Sequence, residues 1–251
     1  LSRRERVVQE IVETERAYVQ SMELLHHLFR NPFFSVLQGA HAQDEQNVVL
    51  SEADFNAIFL NSETLLNLNR QMLDEMQQRY RAWDATSSTI GDVFLMYCPL
   101  LKLYQSYVAG LNAAFTTVRR LKLTSPMFLD ILTRVEKLPD LKGLKLESFL
   151  SLPMQRVPRY VLLLQSLLSQ TPASSPDFVL VSRALEQMEK IAVEINSSVV
   201  ERERAERFLQ LKDYLTGFPG ELFDPTRRFI REGQLRKITS KFIIDDYYLL
   251  F

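Results

Sequence analysis

The side chains best placed for chemistry, by type and spacing, lie in LESFLSLPMQRVPRYVLLLQSLL, residues 146–168. Pro153 and Pro158 interrupt a helical pattern there, and a proline inside a helix costs about 3 kcal/mol. Gln155 and Arg156 follow Pro153, where backbone groups lose their usual helical partners. Their long polar side chains serve either to repair that backbone or to meet another molecule. The chemistry on offer is recognition through charge and hydrogen bonds. Downstream, Val161, Leu164 and Leu168 recur at helical spacing as an apolar stripe for a core.

Two other segments stand out. In QEIVETERAY, residues 9–18, Glu10, Thr14 and Ala17 share one helical stripe, and Ile11, Glu15 and Tyr18 share the next. Taken alone this is a solvated helix face with Tyr18 as an aromatic at the core edge. In residues 89–108, Phe94, Tyr104 and Tyr107 have the spacing of a buried helix, and Cys98 reads as a small buried residue. The chain contains no P-loop, Gly-x-Ser-x-Gly, His-Glu-x-x-His or dinucleotide fingerprint. Covalent catalysis and a resident cofactor are therefore not expected.

Composition narrows the class. The net charge of −1 over 251 residues argues against nucleic acid as partner, because phosphate binding needs a basic excess. Cys98 is the only cysteine, so no internal disulfide can form and a reducing compartment fits. His26, His27 and His41 lack the cysteine pairs of a structural metal site. No apolar run approaches the ~20 residues of a membrane span, and no signal peptide is visible at Leu1. The expectation is a soluble, cytoplasmic, helical protein.

Elements that could position these residues follow from periodicity and breakers. A helix is predicted over 3–30, ended by Asn31-Pro32, with an irregular polar stretch over 31–50. Ser51 and Asp54 resemble a capping box opening a helix towards Arg81. Residues 89–121 are helical, kinked or split by Pro99, and Ser125-Pro126 opens a short helix to about Val135. Ser175-Pro176 starts a helix reaching Leu215, roughly 57 Å at 1.5 Å per residue, closed by Gly217, Pro219 and Gly220. Residues 232–239 and 242–251 read as two strands, too few to stand alone.

The three segments together carry a family resemblance. Glu10 to Tyr18 matches the pattern Glu-(Ile/Leu)-x-x-Thr-Glu-x-x-Tyr, Asp92 to Tyr107 resembles an acidic-Val-Phe…Tyr-x-x-Tyr helix, and Pro153 to Leu164 matches Pro-x-Gln-Arg-(Ile/Val)-x-(Lys/Arg)-Tyr-x-Leu-Leu-Leu. In order and spacing the chain resembles the Dbl-homology (DH) domain of Rho-family guanine-nucleotide exchange factors, followed by the opening of a pleckstrin-homology (PH) domain. The resemblance implies an all-α, elongated multi-helix bundle over residues 1–216 with a long C-terminal helix, then a partial β domain over 217–251.

Function and site follow from the resemblance alone. It implies exchange on a Rho-family small GTPase, bound preferentially in its nucleotide-free form, in control of the actin cytoskeleton. Glu10 takes the position that contacts switch I, while Arg159 and Asn196 take those that face switch II; Gln155 and Arg156 line or support that surface. Ser151 stands where the family helps to choose its GTPase and commonly carries an aliphatic residue, and Leu152 stands where lysine is common. Arg159 also replaces the usual lysine, keeping the charge but changing the hydrogen-bond geometry. Arg231, Arg236 and Lys237, with Arg227 and Arg228, form either a phosphoinositide site that would draw the protein to the plasma membrane or a solvated edge. The alternative is a non-catalytic helical scaffold or membrane adaptor of the same fold.

Overall fold

A computed structural model describes residues 2–40, 49–84, 86–214, 230–238 and 243–250. Helix α1 spans Arg3–Leu24 and opens with a full capping box: Ser2 Oγ accepts from the Glu5 N–H at 3.1 Å, and the Ser2 N–H donates to Glu5 Oε2 at 3.3 Å. These bonds satisfy two groups that a bare helix start leaves open. The helix does not stop at Asn31. A π-helical turn, Leu25–Arg30, carries it into α2, Asn31–Ala40, with the Asn31 N–H donating to the His26 carbonyl. Pro32 has no N–H, and its ring crowds the carbonyl four residues back; the wider π turn absorbs both effects. The irregular stretch expected from residue 31 thus begins as helix, and 41–48 lie outside the described residues.

His26, in that π turn, is buried, with 6% of its surface exposed. Burial, and then the nearby Arg30 guanidinium, hold its pKa down to about 4 against a usual 6.5. Folding favours the neutral ring, so the unfolded chain binds the proton more tightly. This contribution is complete above pH 6.5 and is lost as pH falls from 6.5 towards 4, by up to about 1.4 kcal/mol per pH unit. Urea unfolding at pH 7 and pH 4 should therefore show wild type losing about 3 kcal/mol more than His26→Gln. Equal losses in the two proteins would refute the assignment.

The helix predicted from Ser51 to Arg81 is two: α3, Glu52–Phe59, and α4, Ser62–Arg81. Between them Leu60 takes a left-handed backbone at φ 49°, unusual for a leucine. Tertiary contacts hold it there. A Cβ on Gly110 would lie 2.5 Å from Leu60 Cδ2, so the glycine leaves room for this side chain. The Asn61 amide donates to the Leu103 carbonyl at 3.0 Å. After Pro99 the chain splits as expected, into α5, Gly91–Tyr97, a 3-10 turn and α6, Leu103–Thr124. Ser125 Oγ then caps α7, Pro126–Glu136, by accepting the Phe128 N–H.

A short helix α8, Leu146–Leu150, leads into α9, Leu152–Gln170. Pro153 sits in the first turn of α9, where no N–H partner is required, and this removes half of the conflict read from the sequence. Pro158 remains inside the helix on its exposed side. The buried face of α9 is Pro153, Val157, Tyr160, Leu164 and Leu167. Val161 and Leu168, expected in the core beside Leu164, are half-buried. Around these helices lies an aromatic core, with Phe33 stacked on Phe128 at 4.7 Å and Phe29 set 5.7 Å from Phe149.

Helix α10, Asp177–Tyr214, is 38 residues long, about 57 Å. Asp177 is fully buried at its start. Its Oδ1 accepts the N–H groups of Ile90 and Gly91, capping α5 from another element, while Oδ2 pairs with Arg4 at 2.8 Å. Gly91 is needed at this crossing, since a Cβ there would come within 2.5 Å of the Val181 backbone nitrogen. The chain divides into two compact units, 1–195 and 196–251. That division falls inside α10; the 216–217 boundary implied by the resemblance lies outside the described residues. The second unit holds the rest of α10 and an antiparallel pair, β1, Arg231–Ile238, and β2, Ile243–Leu250, in register from Arg231 opposite Leu250 to Ile238 opposite Ile243. The expected helix-closing residues Gly217, Pro219 and Gly220 lie outside the described residues.

Candidate functional site

Packing of α1 against α9 brings the first and third sequence segments together. Glu10 and Arg159 meet on the exposed side of this contact, with Arg159 Nη2 donating to Glu10 Oε1 at 2.6 Å. Their side chains are 49% and 44% exposed, so both charged groups remain open to an incoming molecule. Ser151, Gln155 and Arg159 follow one another at four-residue intervals along one helical stripe. Gln155 is exposed, while Ser151 is half-buried and donates from Oγ to the Glu147 carbonyl at 2.8 Å. Asn196 is exposed on α10 and belongs to the second unit.

Arg156 departs from the expected surface. Only 5% of its side chain is exposed, and it points into the interior. Helical geometry explains this, because a residue one position after Gln155 is turned by about 100° around the axis. Its Nε donates to Glu15 Oε2 at 3.1 Å, and a second guanidinium nitrogen pairs with the same oxygen. The guanidinium also lies over two rings, 4.5 Å from the Tyr160 centroid and 5.2 Å from that of Tyr18. Arg156 therefore supports the surface and is not available as a contact.

Glu15 is the centre of this buried arrangement, and the solvated reading of its helix face does not hold. The Tyr160 phenol has one proton to share between Glu15 Oε2 at 2.7 Å and Asn69 Oδ1 at 2.9 Å. Asn69 donates to the Tyr104 oxygen and to the Leu65 carbonyl, both at 2.7 Å, and Tyr104 in turn donates to Tyr18 at 3.0 Å. Helices α1, α4, α6 and α9 are thus cross-linked by one polar cluster. Burial raises the pKa values of Tyr18 and Tyr160 well above 10, so both stay protonated donors. For Arg156, burial alone would lower the pKa, but Tyr160 and Glu15 outweigh it and hold the cation firmly.

The sequence reading passed over Glu15, Asn69 and Tyr104 as functional support. A signal was present for the first: Glu15 shares its stripe with Ile11 and Tyr18, an apolar face where a lone acid needs a partner. Cys98 is buried and its thiol is pushed up to about 11 by burial, so it is no nucleophile at neutral pH. Among the described residues, no three His, Cys, Asp or Glu side chains come together as metal ligands. No described helix is long and apolar enough to cross a membrane. Arg231 is exposed on β1, and Arg236 stands in register opposite Asp245 and Lys237 opposite Ile244; Arg227 and Arg228 lie outside the described residues.

The family model for the RhoGEF domain matches residues 7–196, nearly all of the first unit. The chain belongs to the RhoGEF family. Relatives extend the likeness over this RhoGEF chain. Rac guanine nucleotide exchange factor B of Dictyostelium discoideum is 30% identical over 276 residues, covering 100% of this chain and 22% of that protein. FYVE, RhoGEF and PH domain-containing protein 2 of Homo sapiens is 31% identical over 237 residues, covering 94% of this chain and 35% of that protein. The chain therefore spans between about a fifth and a third of these relatives. Among solved structures, the PDZ-RhoGEF DH/PH domains in complex with GTP-gamma-S activated RhoA superpose with a TM-score of 0.81 at 19% identity, covering 99% of this chain and 71% of that one. The DH/PH domains of p115-RhoGEF give 0.78 at 24% identity, covering 99% and 69%. These last two establish a shared helical-bundle fold.

Proposed function

We propose that this RhoGEF chain is a guanine-nucleotide exchange factor for a Rho-family small GTPase, working without covalent chemistry. Membership of the RhoGEF family, with relatives named as Rac exchange factors, carries this reading. The exposed Glu10–Arg159 pair supplies the contact, joined in the complex by Gln155, Ser151 and Asn196. In the free protein the two charges neutralise one another. A half-exposed pair of this kind is worth only about 0–1 kcal/mol, so either partner can be drawn away by a GTPase at little cost.

The mechanism is linkage. A GTPase holds its nucleotide through phosphate and Mg²⁺ contacts made by its two switches. A surface that binds the displaced switches more tightly than the nucleotide-bound ones lowers nucleotide affinity by the same factor. Glu10 draws switch I aside, and Arg159 with Asn196 holds switch II in a shape that excludes Mg²⁺. Arg156 and Glu15 fix α9 against α1 so that this surface is present before the GTPase arrives.

The strands β1 and β2 are read as the opening of a PH domain. Arg231, Arg236 and Lys237 there meet phosphoinositides and bring a cytoplasmic protein to the plasma membrane. Release of fluorescent GDP from a panel of Rho-family GTPases tests the central reading, with acceleration expected for at least one. Release at the protein-free rate across the whole panel would overturn it.

A further inference from the structure

The connection between α7 and α8, residues 137–145, is short, firmly built and turned outwards. Four backbone bonds close it on itself: Leu138 to Val135, Leu141 to Leu138, Lys142 to Pro139 and Leu144 to Leu141, at 2.8–3.1 Å. Leu141 is wholly buried and anchors the loop. Lys142 and Gly143 then adopt consecutive left-handed backbones, φ 49° and 79°, and the space where a Gly143 side chain would stand is open. This reversal leaves Leu138 and Leu144 exposed, 37% and 50%. Lys137, Lys142 and Lys145 alternate with them, all exposed, and no ion pair among the described residues engages any of the three. Just past the loop, Glu147 of α8 pairs with Lys122 of α6 at 2.5 Å, which ties the loop's far side to the first unit.

Leucines at the tip of an anchored loop, separated by unpaired lysines, match a flat partner that is negative at its surface and apolar beneath. We propose that this loop is a contact site for anionic lipid bilayers, with Leu138 and Leu144 entering the headgroup–acyl boundary while Lys137, Lys142 and Lys145 pair with lipid headgroups. Charge complementarity favours a bilayer over a neutral surface, since the loop carries three lysines against one acid, Asp140. The site is separate from Glu10 and Arg159 and does not depend on exchange activity. It is also distinct from the bases of β1.

Sedimentation of the full chain with phosphatidylcholine vesicles, with and without about a quarter phosphatidylserine, tests the site. All arms are run in wild type and in an Arg231→Glu/Arg236→Glu/Lys237→Glu background, so that the C-terminal strands do not mask the loop. Binding should require the anionic lipid. A Lys137→Gln/Lys142→Gln/Lys145→Gln variant should weaken it by roughly a hundred-fold, about five-fold per charge removed. A Leu138→Ser/Leu144→Ser variant should weaken it by roughly ten-fold, and this loss should persist at high salt, where headgroup pairing is screened. All five positions are exposed, so the melting temperature should hold in both variants. Unchanged vesicle binding by either variant would overturn the proposal. So would equal binding to neutral vesicles, or capture by soluble polyglutamate with none by vesicles.

Discussion

Glu10→Ala should reduce GDP release from the responsive GTPase to the protein-free rate while the melting temperature stays within about 2 °C of wild type. The separation follows from where Glu10 stands. Its side chain is half exposed, its one ion-pair partner among the described residues is the similarly exposed Arg159, and such a pair is worth about 0–1 kcal/mol. Stability therefore has little to lose. Exchange has a great deal to lose if this carboxylate is what holds switch I aside, since removing one partner of a desolvated charge contact costs about 2–5 kcal/mol at the interface. Asn196→Ala should behave in the same way. Stopped-flow release and calorimetry on the same preparations check it. A Glu10→Ala protein that retains most of the wild-type rate would remove Glu10 from the mechanism and leave family membership intact.

Arg156→Ala should do the opposite, losing about 3–5 kcal/mol of stability by urea unfolding because Glu15 is left as an uncompensated charge in the interior. The loss greatly exceeds the net value of the pair. Two charges withdrawn from water recover their hydration through each other, whereas one alone recovers nothing. A Glu15→Leu/Arg156→Met double variant should accordingly be more stable than either single change, as an apolar pair needs no counter-charge. Arg156→Lys should fall between, retaining charge but losing the planar stack on Tyr160 and Tyr18. A single Arg156→Ala loss below about 1 kcal/mol would show the cluster to be dispensable. Read with Glu10→Ala, the series separates a residue that touches the GTPase from one that keeps the touching surface in place.

Where the chain announced its own structure, it did so through residues with one dominant local effect. Ser125-Pro126 caps and starts a helix wherever it occurs, Pro99 splits one, and Ser175-Pro176 opens the longest. The misreadings fall where a distant contact prevails over the local preference. Leu60 carries no turn signal; it is forced left-handed by Asn61, bonded to Leu103, and by the room at Gly110. Pro32 carries a strong stop signal, defeated by a π turn that periodicity cannot reveal. In α9 the apolar residues are so dense that the stripe could be set one position off, and only the buried Arg156 and Tyr160 fix it. The exposed Glu10 and Arg159 are singled out by family pattern alone, because nothing in local propensity distinguishes one solvated charge from another. Glu15 was hidden by the opposite habit, that acids belong outside.

One feature of α1 bears on how the protein is made. Glu15 is 141 residues ahead of the arginine that neutralises it, and Arg4 is 173 ahead of Asp177. During synthesis at about 5–20 residues per second, α1 emerges before α9 and α10 and then waits on the order of ten seconds for either counter-ion to leave the ribosome. Throughout that interval α1 can pack on α4 but lacks α9, the other helix that it packs against. Helix α1 is thus a segment that nascent-chain chaperones have reason to hold until α9 arrives.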